Sequence, residues 1–262
     1  LSQPSPVAPL GLPFIELQSV DSTNNYARLQ IRSAGLPDRQ EPGTHGMAFF
    51  AHEQLAGKGQ RGRHWETEKD ANIALSLLIN PSGLTASGQF NLSACVAVAV
   101  ADFFRKYAGD QTRIKWPNDL YWQDRKAGGI LIENSISGTG DWNWAIVGIG
   151  ININQVFFSP GLPNPVSLRQ ITGQNFDPCT LARELCSFLD AAYRRLCTDG
   201  FPVIYQDYLA QLYKIGEPVK LKKENRVFEA LVKRVTPDGR LLVQHAIEEE
   251  FNFGEVEWVI GS

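Results

Sequence analysis

Apolar positions along this chain move between strand-like and helix-like spacing, then keep to strand-like spacing past Gly216. Phe14 to Val20 and Met47 to His52 have strand length, and Asn72 to Ile79 (NIALSLLI) reads as a buried strand. Between the first two, Asp21, Ser22 and Thr23 supply N-cap oxygens for a helix to about Ser33, followed by a polar loop, LPDRQEPGTHG. Phe90 to Tyr107 (FNLSACVAVAVADFFRKY) predicts a central alanine-rich helix. Ile114 to Trp116, Leu120 to Trp122, the GGILIEN segment and Trp142 to Ile149 predict strands, with a hairpin turn at Gln123–Asp124–Arg125. Pro163 to Phe176 reads as irregular, with a short helix after Ser167. Cys179 to Leu196 and Pro202 to Leu212 carry helical spacing.

Beyond Gly216 the segments PVKLKK, RVFEALVKRV, RLLVQHA and VEWVI alternate as short strands around a turn at Pro237–Asp238–Gly239. That is the size of an SH3-like barrel. The expected class is α+β: a disordered lead-in over residues 1–13, a mixed-sheet domain over 14–213 and a small β domain over 214–262.

Composition narrows the function. With 262 residues, 43% of them hydrophobic, the chain can bury a substantial core. A net charge of −3 gives no support for a general nucleic-acid surface, so any basic patch is local. Cys95, Cys179, Cys186 and Cys197 form no C-x-x-C pair and read as reduced, buried thiols. The four histidines show no i, i+4 pair, which argues against a structural zinc site. No run of about 18 apolar residues predicts a membrane span. The start, LSQPSPVAPLGLP, lacks the basic and apolar regions of a signal peptide, so the expected location is cytoplasmic.

Four segments carry candidate chemistry. In EQLAGKGQRGRHWE, Lys58, Arg61 and Arg63 share a stretch with Gly57, Gly59 and Gly62. Glycines let backbone N–H groups converge on an anion, and arginine forks match phosphate oxygens. The same residues also suit a solvated surface loop. Without an anion, three repelling cations predict a mobile loop. In KWPNDLYWQDRKAGGILIEN, Lys115 and Lys126 accompany Asp119, and Gly128–Gly129 interrupt a strand where a ligand could approach the backbone. In VGIGININ, Asn152 and Asn154 end a strand, suited either to a ring such as adenine or to a simple turn. In DSTNNYA, small hydroxyls and an amide at a helix start either cap it or bind a compact polar group.

In this order, DSTN, GKGQRGRHW, KWPNDLYWQDRKAGGIL and GIGININ resemble the biotin protein ligase family across residues 14 to 154. The module after Gly216 looks like the family's C-terminal SH3-like domain. The resemblance implies an ATP-dependent ligase that activates biotin to biotinyl-5′-AMP with magnesium. Biotin then passes to a lysine of a biotin carboxyl carrier domain of a biotin-dependent carboxylase. It implies Ser22, Thr23, Asn24 and Gln54 on the biotin ureido head, with Gly128 and Gly129 giving backbone room and N–H groups to biotin. Lys58, Gly59, Arg61, Gly62, Arg63 and Trp65 would serve the nucleotide phosphates and the closing wall, and Asn118 and Asn152 the nucleotide. Lys126 would contact the biotin carboxylate and the α-phosphate, and Asp119 would orient or deprotonate the incoming lysine, making Lys126, Arg61 and Asp119 the catalytic set. No protein-held metal, DNA contact or membrane contact is expected, and a homodimer is allowed. Lys58 and Gln60 stand where a common form of the family has arginines. The rival readings are a lipoate or octanoate ligase, for which an apolar acyl tunnel is expected, and a non-catalytic biotin-binding regulator.

Overall fold

The computed structural model describes residues 8–33, 44–81, 84, 88–136, 141–162 and 164–259. One sheet takes up β1 (Phe14–Leu17), β2 (Ala48–Ala51), β3 (Asn72–Ile79), β4 (Thr112–Lys115), β5 (Asp119–Trp122), β6 (Arg125–Ile136) and β7 (Trp142–Asn152). Its seven strands run in the order β1-β2-β3-β7-β6-β5-β4. The β1–β2 pair is parallel and the other pairs are antiparallel, the mixed sheet expected from the hairpins in the sequence. β3 is buried at every position because both its faces are covered.

On one face lies α1 (Thr23–Ser33), packed on β2, β3 and β7. The other face carries α2 (Gln89–Ala108), which packs against α4 (Pro178–Asp199) and α5 (Phe201–Ala210). Small buried residues of α2, among them Ala94, Ala97, Val98 and Ala101, let it approach its neighbours closely. The short α3 (Leu168–Thr172) begins with a capping box in which Ser167 and Gln170 each accept the other's backbone N–H. Asp177 caps α4 with Pro178 in its first turn.

Three expectations need correction. Residues 1–7 of the expected lead-in lie outside the described residues, but Leu10 is buried, its N–H donating to Asp190 Oδ1 at 2.9 Å, and Gly11 N–H donates to Gly46 O at 2.7 Å. Apolar Leu10 therefore joins the core despite its proline-rich setting. β1 stops at Leu17, and Val20 then makes a lone parallel bridge to Gln54. All four cysteines are free thiols, but only Cys95 and Cys186 are buried; Cys179 is half-buried and Cys197 exposed. Most of the loop after Ser33, residues 34–43, lies outside the described residues.

The second sheet holds β8 (Pro218–Lys223), β9 (Arg226–Val235), β10 (Leu241–Gln244), β11 (Glu248–Phe251) and β12 (Glu257–Trp258), in the antiparallel order β11-β10-β9-β8-β12. It is the small SH3-like module, and its core is continuous with the first: Leu221, Val232 and Phe251 belong to one cluster with Trp116 and Tyr208. Trp116 Nε1–H donates to Gly239 O at 2.9 Å, and Tyr205 O–H to Val235 O at 2.5 Å. Gly239 has φ +90°, and a Cβ there would lie 2.7 Å from Phe90 Cδ2. Gly239→Ala thus combines a left-handed alanine with overpacking, and should cost about 2–4 kcal/mol. A urea midpoint equal to wild type would show that this turn does not bind the two sheets together.

Candidate active site

Residues paired across an antiparallel sheet share a face. One row therefore runs Ala74, Gly150, Gly129, Asp119, Lys115 over β3, β7, β6, β5 and β4. By strict alternation Lys126 would face the helices. A register shift at Leu120/Tyr121 instead pairs Lys126 with Tyr121, turning its side chain to the face of Asp119. Lys126 Nζ–H donates to Asp119 Oδ1 at 2.6 Å, and Lys115 Nζ lies 3.8 Å from Asp119 Oδ2. Lys115 is buried, its ammonium 5.1 Å from the Tyr121 ring centre and 5.3 Å from that of Trp258. Burial lowers its pKa to about 8; Asp119 opposes this, while Lys126 and Arg63 add to it.

A polar, mostly uncharged cluster sits beside this row. Ser22, Thr23 and Asn24 are buried at the start of α1. Gln54 Oε1 accepts from Thr23 N–H at 2.9 Å and from Thr23 Oγ1–H at 3.1 Å. Ser76 Oγ lies 2.6 Å from Asn24 Oδ1 and 2.7 Å from Thr23 Oγ1, and Asn24 Nδ2–H donates to Glu133 Oε2 at 2.8 Å. A Cβ on Gly148 would collide with Asn24 Oδ1, so this glycine makes room for the Asn24 amide.

The glycine-cation loop is expected to have nothing to hold, yet it has partners of its own. Gly59 N–H donates to Arg63 O at 2.7 Å, Trp65 N–H to Gly57 O at 2.9 Å, and Lys58 Nζ–H to Asn25 Oδ1 at 2.5 Å. Arg61, expected to face phosphates, takes a left-handed φ of 58° and donates to Gly254 O at 2.8 Å in the C-terminal module. Trp65 lies over Gly150, where a Cβ would be 2.5 Å from the indole, and its buried Nε1–H has no partner among the described residues.

The strand glycines thus answer to packing as well as access. At Gly128 a Cβ would lie 2.7 Å from Gly150 O, which is sheet packing, whereas at Gly129 it would meet Asp119 Oδ1 and Lys126 Nζ at an ordinary 3.6 Å. Asn118 Nδ2–H donates to Ile130 O, and Asn152 Nδ2–H to Val166 O at 3.1 Å. Asn154 clamps Phe176 with two hydrogen bonds of 2.7 and 3.0 Å, a structural use.

A cavity of about 540 Å³ gathers these parts. Every residue to which the resemblance gives a role lines it except Gly62 and Gly128. Its wall also includes Lys115, Phe253, Gly254 and Trp258, for which no role was expected. Lys115 stands out in the sequence as a cation of the K-W-P-N-D stretch, but without an assigned role. The C-terminal residues carry no local signal, because only the docking of the two sheets brings them to the cavity.

A family model described as the Biotin/lipoate A/B protein ligase family matches residues 17–152, and one described as Biotin protein ligase C terminal domain matches residues 214–258. The chain is 34% identical over 248 residues to the bifunctional ligase/repressor BirA of Escherichia coli, covering 92% of this chain and 72% of that protein. It is 34% identical over 214 residues to the biotin–[acetyl-CoA-carboxylase] ligase of Paracoccus denitrificans, covering 78% and 86%. A biotin protein ligase of Aquifex aeolicus, solved in complex with biotin and ATP, shares its fold with a TM-score of 0.76 at 24% identity, over 94% of this chain and 98% of that one.

The lowered pKa of Lys115 sets a pH dependence. Below about 8 folded and unfolded chains both hold its proton; between about 8 and the ordinary 10.5 only the unfolded chain does. Stability therefore rises with pH through that window, by roughly 3 kcal/mol. Urea midpoints at pH 7.5, 9 and 10.5, on the order of such a window, should show wild type gaining on Lys115→Met as pH rises. A constant difference between the two would remove this account of the buried lysine.

Proposed function

This chain belongs to the biotin/lipoate A/B protein ligase family, and on that premise we infer that it is a biotin protein ligase. The reading rests on one observation: a single cavity joins an amide-and-hydroxyl cluster to a floor of cations around one carboxylate. The first suits a ureido ring, which both donates and accepts hydrogen bonds. The second suits a carboxylate brought against a polyphosphate, two anions that repel unless cations stand between them.

In the first step a biotin carboxylate oxygen attacks the α-phosphorus of ATP, forming biotinyl-5′-AMP and releasing pyrophosphate. Ser22, Thr23, Asn24 and Gln54 hold the ureido head, and Gly129 leaves space at the floor. Lys126, released from Asp119 as the anions enter, bridges the carboxylate and the α-phosphate. Lys58 and Arg63, with the backbone of Gly59, neutralise the phosphates, and Trp65 closes the wall. Asn118 and Asn152 border the nucleotide. Magnesium carried by the triphosphate supplies further neutralisation when bound. Among the described residues no group of three or more His, Cys, Asp or Glu side chains is arranged to hold an ion.

In the second step the ε-amine of a lysine on a biotin carboxyl carrier domain attacks the acyl carbon, forming the amide and expelling AMP. That amine must lose a proton first, and Asp119 is the carboxylate at the floor to orient or accept it.

Two measurements test this. Pyrophosphate exchange into ATP should require biotin and fall about 10²–10³-fold in Lys126→Ala, the scale of one preorganised electrostatic donor. Exchange driven by lipoate or octanoate instead would move the activity to the acyl branch of the family, and no exchange with any acid would end the enzymatic reading. Gly148→Ala displaces Asn24 and should raise the KM for biotin on the order of tenfold or more, leaving the KM for ATP nearly unchanged. Equal rises in both would place Asn24 outside the acid subsite.

A further inference from the structure

Glu133 lies on β6 outside the cavity wall, yet it holds a residue that lines the cavity. Asn24 and Arg28 stand one turn apart on α1, and both reach the Glu133 carboxylate. Asn24 Nδ2–H donates to Oε2 at 2.8 Å, and Arg28 Nη2–H donates to Oε1. A carboxylate paired with a guanidinium offers only acceptors, so the nitrogen of the Asn24 amide must face it. Leu131 O, also a pure acceptor, lies 3.4 Å from the same nitrogen. The amide oxygen is thereby turned the other way. It meets Ser76 Oγ at 2.6 Å and lies over Gly148, a cavity-lining glycine whose Cβ would collide with it. Gln54 is oriented by the same logic. Its Oε1 accepts from Thr23 N–H at 2.9 Å and from Thr23 Oγ1–H at 3.1 Å, which leaves Nε2 as its donor end. The cluster therefore has a fixed polarity, with an acceptor from Asn24 and a donor from Gln54 in one pocket.

We propose that Glu133 is a positioning residue of the acid subsite: by taking the Asn24 nitrogen it sets the amide oxygen toward the cavity, so that the site selects an acid bearing an N–H donor. A flipped amide would set Asn24 Oδ1 against Glu133 Oε2, two acceptors without a proton between them. A ureido ring carries N–H groups and a carbonyl, and satisfies both ends of the cluster. The hydrocarbon chain of octanoate or lipoate carries neither, and would leave Asn24 Oδ1 and Gln54 Nε2 without partners in the pocket. Arg28 supports the carboxylate without being needed to orient Asn24. The selection of biotin rests on the ligase reading; the orientation of Asn24 is a property of the chain itself.

The test compares wild type, Glu133→Gln, Arg28→Ala and the double variant Asn24→Asp with Glu133→Gln, by calorimetric titration with biotin and by the KM for ATP in pyrophosphate exchange. Glu133→Gln keeps the shape but adds a donor, which frees the Asn24 amide to turn over. Its Kd for biotin should rise about tenfold while the KM for ATP stays within about twofold. Arg28→Ala loses the same ion pair but keeps the carboxylate, so its Kd should change by less than about threefold. In the double variant the introduced glutamine donates to the introduced aspartate, whose second oxygen replaces Asn24 Oδ1, and most of the lost affinity should return. Unchanged affinity in Glu133→Gln, an equal loss in Arg28→Ala, or no recovery in the double variant would overturn the assignment. If wild type activates lipoate or octanoate and not biotin, the biotin reading fails and the selection with it. The side-chain amide NMR signal of Asn24 decides the orientation in either case: bonded to a carboxylate it should lie downfield, and it should move upfield in Glu133→Gln. A signal identical in the two proteins would end the positioning role by itself.

Discussion

Asp119 stands between two ammonium groups, 2.6 Å from Lys126 and 3.8 Å from Lys115, in the cavity wall. One carboxylate cannot neutralise two lysines, and Arg63 adds a third positive charge close enough to lower the Lys115 pKa. A partly buried cluster with excess positive charge is a standing electrostatic cost, which an anion entering the cavity relieves. A preference for anionic substrates follows from this excess of positive charge. Any ligand that supplies the missing negative charge also stabilises the fold.

The sheet is built to hold that cluster in register. Lys115 and Asp119 face each other across the β4–β5 hairpin, Asp119 faces Gly129 across the next pair, and the register shift rotates Lys126 onto the same face. Without the shift, Lys126 would point to the opposite face of the sheet, away from Asp119. The cost of an irregular ladder buys the convergence of three charged side chains from two hairpins. Leu120 and Ala127, directed the other way, anchor the same strands in the core under the helices.

Much of this was legible in the chain. The N-cap at Asp21–Thr23, the buried strand Asn72–Ile79, the α2 segment and the K-W-P-N-D…R-K spacing are local patterns, and local patterns survive into the fold. What was not legible depends on pairs distant in sequence. Strand glycines suggest access, but Gly148 and Gly150 are filled by Asn24 and Trp65, and nothing near either glycine announces that partner. Arg61 has the composition of a phosphate ligand, and only the docked turn at Gly254 reveals a competing acceptor. The depressed pKa of Lys115 likewise needs the ring of Trp258, 143 positions along the chain, to exclude water from it.

These distant contacts share one origin. Trp258 covers Lys115, Gly254 receives Arg61, and Gly239 accepts from Trp116, so the C-terminal sheet touches the charge cluster, the loop and the K-W-P-N-D segment separately. A module attached only by a linker would make none of these contacts, and one docked for stability alone would have no reason to reach the cavity wall. Its continuous core with the larger sheet holds the three contacts at fixed spacing, since close-packed interiors transmit small displacements. Loosening any one of them therefore shifts the cations relative to one another, and with them the place where two anions can be brought together.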